Sequence, residues 1–338
     1  MKKVLVTGGT GYIGSHTVVE LINKGYEAVI VDNLSNSKIE VLDSIEKIAG
    51  VRPKFYQLDV CDRAALSNMF DQEGDITSII HFAASKAVGE SVNKPLLYYG
   101  NNIKSLLNLL EEMTARNISD IIFSSSCTVY GQPEKLPVTE STPFQPAESP
   151  YGNTKQICEE ILRDSSKANN ALKTIALRYF NPVGAHASGL IGELPLGVPQ
   201  NLVPFITQTA AGIREQLSIF GDDYNTKDGT AVRDYIHVVD LAKAHVIAVE
   251  RLLEGKEKAN FEFFNIGTGN GYSVLETVKK FEEVNNLKLN YKLVARRAGD
   301  VEQIYAETSF ANEELGWKAE LGLDEMMRSA WVWQQSLA

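Results

Sequence analysis

The run Thr7-Gly8-Gly9-Thr10-Gly11-Tyr12-Ile13-Gly14 restricts this chain more than any other. Its glycines recur as G-x-x-G-x-x-G between an apolar stretch at 4–7 and a helix-like stretch at 17–24 that Gly25 stops. Glycine permits a tight turn and a close backbone approach. A helix opening at such a turn presents free N–H groups and the positive end of its dipole. An ordinary glycine-rich turn would show the same spacing. The flanking strand and helix make the pattern a site for the pyrophosphate of a dinucleotide. Asp32 closes the next apolar stretch, 28–31. A carboxylate there accepts hydrogen bonds from ribose hydroxyls and repels a 2′-phosphate, so the expected cofactor is NAD rather than NADP.

Further strand-like stretches fall at 55–58, 78–82 and 121–124, with a helix expected over 95–115. This alternation predicts an α/β protein built on a Rossmann-type doubly wound parallel sheet with right-handed crossovers. The second half is less regular. A strand at 174–179 runs into Asn181-Pro182-Val183-Gly184, and a loop-rich stretch with Gly189, Gly192, Pro195, Gly197 and Pro199 follows. The expected division is an NAD-binding domain over 1–180 and a smaller C-terminal α/β substrate domain over 181–338. The boundary is soft, because 233–266 is expected to return to the first domain.

The 338 residues, 44% hydrophobic and 22% charged, suffice for a large buried core. A net charge of −10 lacks the basic field that sequence-independent nucleic-acid binding needs, so no nucleic-acid partner is expected. Cys61, Cys127 and Cys158 are odd in number and match no metal spacing, which fits reduced thiols in the cytoplasm. No metal site is expected, since the histidines form no metal-spaced set. The apolar run after the two N-terminal lysines is too short for a secretory signal, and no stretch approaches a membrane span.

Ser149-Pro150 has the signature of a helix start, with serine as cap and proline in the first turn. Tyr151 and Lys155 then lie one turn apart on one helix face. A phenol with an ordinary pKa of about 10 is a poor base at neutral pH. A nearby ammonium and a positively charged nicotinamide would favour the phenolate and make Tyr151 a general base for a substrate hydroxyl. Y-x-x-x-K also arises on ordinary surface helices. Here Ser124-Ser125-Ser126 follow a candidate strand at its carboxyl end, where ligands of open α/β sheets bind. A serine beside the tyrosine can share the moving proton. Ser126 is the chosen candidate, though the residues alone do not select among the three.

Taken together, the runs at 7–14, 31–37, 81–91, 123–131, 149–155, 178–186, 229–242 and 296–300 resemble the extended short-chain dehydrogenase/reductase family, and within it the UDP-hexose 4-epimerases. The resemblance spans nearly the whole chain. It implies interconversion of UDP-glucose and UDP-galactose. Tyr151 would remove the O4 proton as C4 gives a hydride to NAD, and the 4-keto sugar would turn and take the hydride back on its other face. It further implies a homodimer. Besides Gly8, Gly11 and Gly14, the implied cofactor contacts are Tyr12, Ile13, Asp32, Asn33, Leu34, Ser35, Asn36, Ser37, Asp59, Val60, Phe82, Ala83, Ala84, Ser85, Lys86, Asn101, Ser126, Tyr151, Lys155 and Phe180. The implied substrate contacts are Lys86, Ser126, Tyr151, Asn181, Asn201, Leu202, Ser218, Ile219, Phe220, Arg233, Arg297 and Asp300, together with Ile304 at the position that gates N-acetylated sugars.

Three other activities compete. A nucleotide-sugar 4,6-dehydratase needs an additional acid and base, which that branch supplies as an Asp-Glu pair where this chain has Cys127-Thr128. A non-catalytic dinucleotide sensor would have no need of Tyr151 and Lys155. An epimerase that also accepts UDP-N-acetylhexosamines stays open at Ile304, whose middling size favours plain hexoses.

Overall fold

A computed structural model describes residues 1–296 and 300–337. In chain order the strands are β1 (Lys3–Thr7), β2 (Glu27–Asp32), β3 (Lys54–Gln57), β4 (Ile76–His81), β5 (Asp120–Ser124), β6 (Lys173–Tyr179), β7 (Asn181–Val183), β8 (Leu217–Phe220), β9 (Val232–His237), β10 (Phe261–Ile266), β11 (Gly271–Ser273), β12 (Tyr291–Val294) and β13 (Gln303–Ile304). The α-helices are α1 (Tyr12–Asn23), α2 (Val41–Ala49), α3 (Arg63–Glu73), α4 (Val88–Asn93), α5 (Pro95–Arg116), α6 (Pro150–Ala168), α7 (Leu202–Ala210), α8 (Val238–Leu253), α9 (Val274–Asn285) and α10 (Leu323–Ser336).

Seven strands form one parallel sheet in the order β10-β6-β5-β4-β1-β2-β3. Its inner strands read as largely apolar runs because both faces are covered, whereas the edge strand β3 is half exposed. Successive side chains point to opposite faces. Val4 and Val6 meet α1, α2 and α8 through Val18, Ile45 and Leu241, whereas Leu5 meets α3 and α5 through Leu66 and Leu109. Each fully buried Leu, Ile or Val contributes about 1.5–3 kcal/mol, so these two layers dominate the stability of the fold. The chain winds outward through β2 and β3, then returns to the other side of β1 at β4. The crevice at the carboxyl ends of β1 and β4 is therefore the topological switch point.

The helix expected at 17–24 begins at Tyr12 instead. Apolar periodicity becomes visible only near Val18, but the glycine turn feeds directly into the first turn of α1. Of the stretch 233–266, β10 forms an edge of the large sheet and α8 packs on its face. β9 stands apart, in a smaller sheet with β7, β11 and β13. β8 and β12 form a separate parallel pair. Around these small sheets α7, α9 and α10 close a second core containing Ile206, Phe281 and Met326.

Candidate active site

The glycine turn forms the floor of the switch-point crevice. Gly8 takes a positive φ of 73° and its N–H donates to the Val31 carbonyl at 2.7 Å. A Cβ on Gly8 would come within 2.9 Å of the Ala83 nitrogen after β4, and one on Gly14 within 2.2 Å of the Gly8 carbonyl oxygen. Gly11 caps α1 without a side chain, so the first N–H groups of that helix face the crevice without a side-chain partner. Asp32, at the end of β2, accepts from the N–H groups of Thr10 and Leu34 at 3.3 and 2.9 Å and from Ser37 Oγ at 3.3 Å. Those donors fix the carboxylate at the rim. A dinucleotide pyrophosphate fits a cradle that tolerates no Cβ, and a ribose diol fits the oriented carboxylate.

The crevice opens into a cleft of about 700 Å³. It is lined by Gly8, Gly11, Tyr12, Ile13, Gly14, Asp32, Asn33, Ser35, Asn36, Ser37, Asp59, Val60, Phe82, Ala83, Ala84, Ser85, Lys86, Asn101, Tyr151 and Lys155. Of the expected cofactor contacts, Leu34, Ser126 and Phe180 do not line it. Leu34 turns through a positive φ of 59°, and Phe180 is packed with Cys127, Val129 and Ile304. Asn101 and Asn102 anchor the loop after β4 through Ser85, and Asn102 also reaches Thr154 Oγ1 at 3.0 Å. That last bond ties the cofactor loop to the helix carrying Tyr151.

Ser149 caps α6 by accepting from Gly152 N–H at 3.2 Å. Tyr151 and Lys155 are both buried, 8% and 4% exposed. Lys155 Nζ donates to the Ser124 carbonyl at 2.6 Å and lies over the rings of Phe123 and Tyr151, 4.8 and 5.8 Å from their centroids. Burial lowers its pKa to about 8. Burial also pushes the Tyr151 phenol well above its usual value, and the hydrogen bond with Ser126 opposes that shift. The ammonium's hydrogen bond goes to the Ser124 carbonyl, so without further positive charge desolvation governs the phenol.

The three serines part company along extended backbone. Ser124 Oγ shares a hydrogen bond with Tyr179 Oη at 2.6 Å, and Ser125 Oγ donates to the buried carboxylate of Glu159 at 2.5 Å. Ser126 Oγ accepts from the Thr128 N–H at 3.2 Å, and this serine draws the pKa of the Tyr151 phenol and of the Cys127 thiol downward against burial. Cys127 is buried, with its thiol pushed up to about 12.

The expected substrate residues gather around the smaller sheets. Asn181 pairs with Tyr235 of β9, and Ile304 pairs with Arg233. Arg233 and Asp300 approach to 3.9 Å. Ser218, Ile219 and Phe220 form β8, and Asn201 caps α7 just before Leu202. Ile304 is 4% exposed and packs in the cluster that begins at Cys127, directly after Ser126. Arg297 lies outside the described residues. Several lining residues escape sequence reasoning. Glu193 accepts from Asn201 Nδ2 at 2.6 Å and reaches Lys86 at 3.7 Å, and Trp333 Nε1 holds the Glu193 carbonyl at 3.0 Å. Thr10 and Tyr179 also face the cleft. Thr10 had a signal inside the glycine run, and Tyr179 one in its place beside Phe180 and Asn181.

Comparison with known proteins agrees with this geometry. A family model described as GDP-mannose 4,6 dehydratase matches residues 5–330. UDP-glucose 4-epimerase of Haemophilus influenzae is 53% identical over 333 residues, 98% of this chain and 97% of the relative. The Mus musculus protein of that name is 50% identical over 341 residues, covering 99% and 97%. A crystal structure of UDP-glucose 4-epimerase from Bifidobacterium longum in complex with NAD+ and UDP superposes with a TM-score of 0.95 at 49% identity, covering 99% of this chain and 98% of that one. With the switch-point crevice, the Tyr151–Lys155 helix and full-length similarity all in agreement, the chain belongs to the UDP-glucose 4-epimerase family of the extended short-chain dehydrogenase/reductases.

Proposed function

We propose that this chain interconverts UDP-glucose and UDP-galactose by inverting the sugar C4, with NAD retained through the cycle. The observation that carries this is the meeting, in one cleft, of the glycine turn, Asp32 and the Tyr151–Lys155 pair. NAD bound there supplies reversible hydride exchange with the sugar. The first N–H groups of α1 hold its pyrophosphate, Asp32 the adenosine ribose and Lys155 the nicotinamide ribose. Tyr151 takes the O4 proton and later returns it, with Ser126 sharing it. Because burial keeps the phenol protonated, its service as a base depends on positive charge gathered in the cleft, of which Lys155 is the chain's own share. Asn181, Asn201, Leu202, residues 218–220, Arg233, Arg297 and Asp300 hold the UDP end, arginine suiting a diphosphate through its planar fork of donors. Anchorage at that end leaves the hexose free to turn.

The dehydratase alternative fails on chemistry. Cys127 and Thr128 stand where the resemblance puts that branch's acid and base; neither is a carboxylic acid, and burial keeps the Cys127 thiol protonated. Plain hexoses are the expected substrates, and rates on UDP-galactose against UDP-N-acetylgalactosamine measure that preference. The division into a cofactor lobe over 1–180 joined by α8 and β10, and a UDP-sugar lobe from the remainder, follows from the same assignment. We read the chain as cytoplasmic, with reduced thiols. No helix among the described residues is long and apolar enough to cross a membrane. We also read it as a homodimer, because α5 leaves Leu96, Leu97 and Leu107 exposed. Sedimentation tests that assembly.

The deciding experiment is Tyr151→Phe. The variant should retain NAD and lose at least about a hundredfold in turnover, the share a positioned proton carrier supplies. Wild-type protein should convert UDP-galactose without net NADH. Undiminished turnover in the variant, or stoichiometric NADH release from wild type, refutes the proposal.

A further inference from the structure

Asn201 stands at the N-cap of α7 and does not cap it with its side chain. Asparagine in that place ordinarily accepts, through Oδ1, from the N–H of the second or third helical residue. Here the third residue is Pro204, which has no N–H to give. The amide is used elsewhere: Nδ2 donates to the Glu193 carboxylate at 2.6 Å. A carboxylate only accepts, so this bond settles which end of the amide faces it. Asn201 and Glu193 both line the cleft. Asn201 is exposed and would otherwise sample several rotamers.

Glu193 can serve as an anchor because its backbone is fixed by other groups. Trp333 Nε1 on α10 donates to the Glu193 carbonyl at 3.0 Å, and Ser336 Oγ, one turn later, donates to the Gly189 carbonyl at 2.7 Å. Gly192 lies so close to α10 that a Cβ would come within 2.4 Å of the Trp333 ring. The His186 N–H donates to the carbonyl of buried Ile191 at 3.1 Å. None of these contacts uses the carboxylate, whose side chain is 12% exposed. Lys86, from the loop after β4, comes within 3.7 Å of it and is half exposed. A pair so long and so wet orients little; it neutralises the carboxylate in a cleft that has to admit an anion. Resting on the assignment of this chain as a UDP-hexose epimerase, we propose that Glu193 is a positioning residue for substrate binding, holding the Asn201 amide in place before the UDP end of the sugar nucleotide arrives.

In the NAD-loaded enzyme, Glu193→Ala should raise KM for UDP-galactose and the inhibition constant of UDP together, by about three- to tenfold. That is the cost of ordering one side chain during binding instead of beforehand. The turnover number should hold, because the UDP end is bound alike in ground and transition states. Glu193→Gln keeps an acceptor for Nδ2 and should recover most of the loss. In an Asn201→Ala background, Glu193→Ala should add nothing, since a residue that acts through Asn201 has nothing left to act on. Thermal midpoint and NAD content should match wild type in both Glu193 variants, the backbone being held by α10. Unchanged KM and UDP inhibition in Glu193→Ala overturn the proposal, as do losses that multiply with those of Asn201→Ala, or a glutamine variant as impaired as alanine. A loss accompanied by a lowered midpoint or missing NAD marks a merely structural role and also overturns it. Wild-type enzyme that neither binds UDP nor converts UDP-galactose refutes instead the substrate assignment beneath it.

Discussion

Glu159→Gln should destabilise the fold by about 3–5 kcal/mol, the cost of leaving a buried charge without its partner. Glu159 follows Tyr151 and Lys155 by successive turns of α6 and is 2% exposed; Arg178 on β6 is 4% exposed. Arg178 donates to Glu159 through Nε at 2.9 and 3.2 Å and through Nη2 at 2.5 Å, and through Nη1 to Tyr130 Oη at 3.0 Å. The rings of Phe263 and Phe144 flank its guanidinium at 4.1 and 4.8 Å. Glutamine preserves shape but turns an amide donor toward a guanidinium that only donates. At roughly 2 °C per kcal/mol for a chain of this size, the thermal midpoint should fall by about 6–10 °C. The paired variant Glu159→Leu with Arg178→Met replaces both charges by apolar groups between two phenylalanines. It should lose less than either Glu159→Gln or Arg178→Met alone, because neither charge remains stranded. Urea unfolding at one fixed, saturating NAD concentration measures all four proteins without a linkage artefact. If the single losses stay below about 1 kcal/mol, or the paired variant loses more than either single, the buried ion pair does not stabilise the fold as argued.

Three further expectations concern the cleft and the buried bases. Gly14→Ala should abolish NAD retention, because its Cβ would meet the Gly8 carbonyl oxygen at 2.2 Å; normal cofactor content after purification refutes this. Lys155 has a folded pKa of about 8 against an ordinary 10.5, so between those values the unfolded chain holds a proton that the folded chain has lost. Stability from this group therefore rises with pH across that window, by about 3 kcal/mol in all. The wild-type minus Lys155→Met difference in unfolding free energy, followed over the same range, should climb, and a flat difference refutes it. His16 and His81 are lowered to about 3, and His237 and His245 to about 4, all by burial. Below their unfolded value of 6.5 each is protonated on unfolding, so stability should fall with acidification, by up to roughly 5 kcal/mol per pH unit near pH 5 if all four contribute. A stability curve level between pH 6.5 and 5 contradicts that burial.

What was legible beforehand was whatever is encoded locally. Parallel strands covered on both faces announce themselves as apolar runs, and Gly8, Asp32 and Ser149 act through their immediate backbone. Tyr151 and Lys155 needed only one helical turn. Glu193 and Trp333 were illegible because segments distant in sequence bring them to the cleft, and nothing near them signals it; Tyr179 was missed although its neighbours Phe180 and Asn181 were named. Three adjacent serines are equivalent as letters; extended backbone gives them different neighbours, Tyr179 for Ser124, Glu159 for Ser125 and the Tyr151 phenol for Ser126. Proximity of Lys155 to Tyr151 was foreseeable, but not that the ammonium bonds the Ser124 carbonyl while burial governs the phenol. The start of α1 was misplaced because its first turn, Tyr12-Ile13-Gly14-Ser15, directly follows the glycine turn and the apolar run that marks the helix begins only at Val18.

The position of β10 bears on how the protein is made. β6 needs a neighbour on each side, and the second of these emerges from the ribosome only after β7, α7, β8, β9 and α8 have been synthesised. At ordinary translation speeds that interval lasts several seconds. Throughout it, β6 exposes a bare row of backbone donors and acceptors on a strand with no charged gatekeeper at its centre. Nascent chains stalled before residue 261 should therefore recruit chaperones or aggregate, and a fragment ending near 180 should be insoluble although it contains every glycine of the cofactor turn.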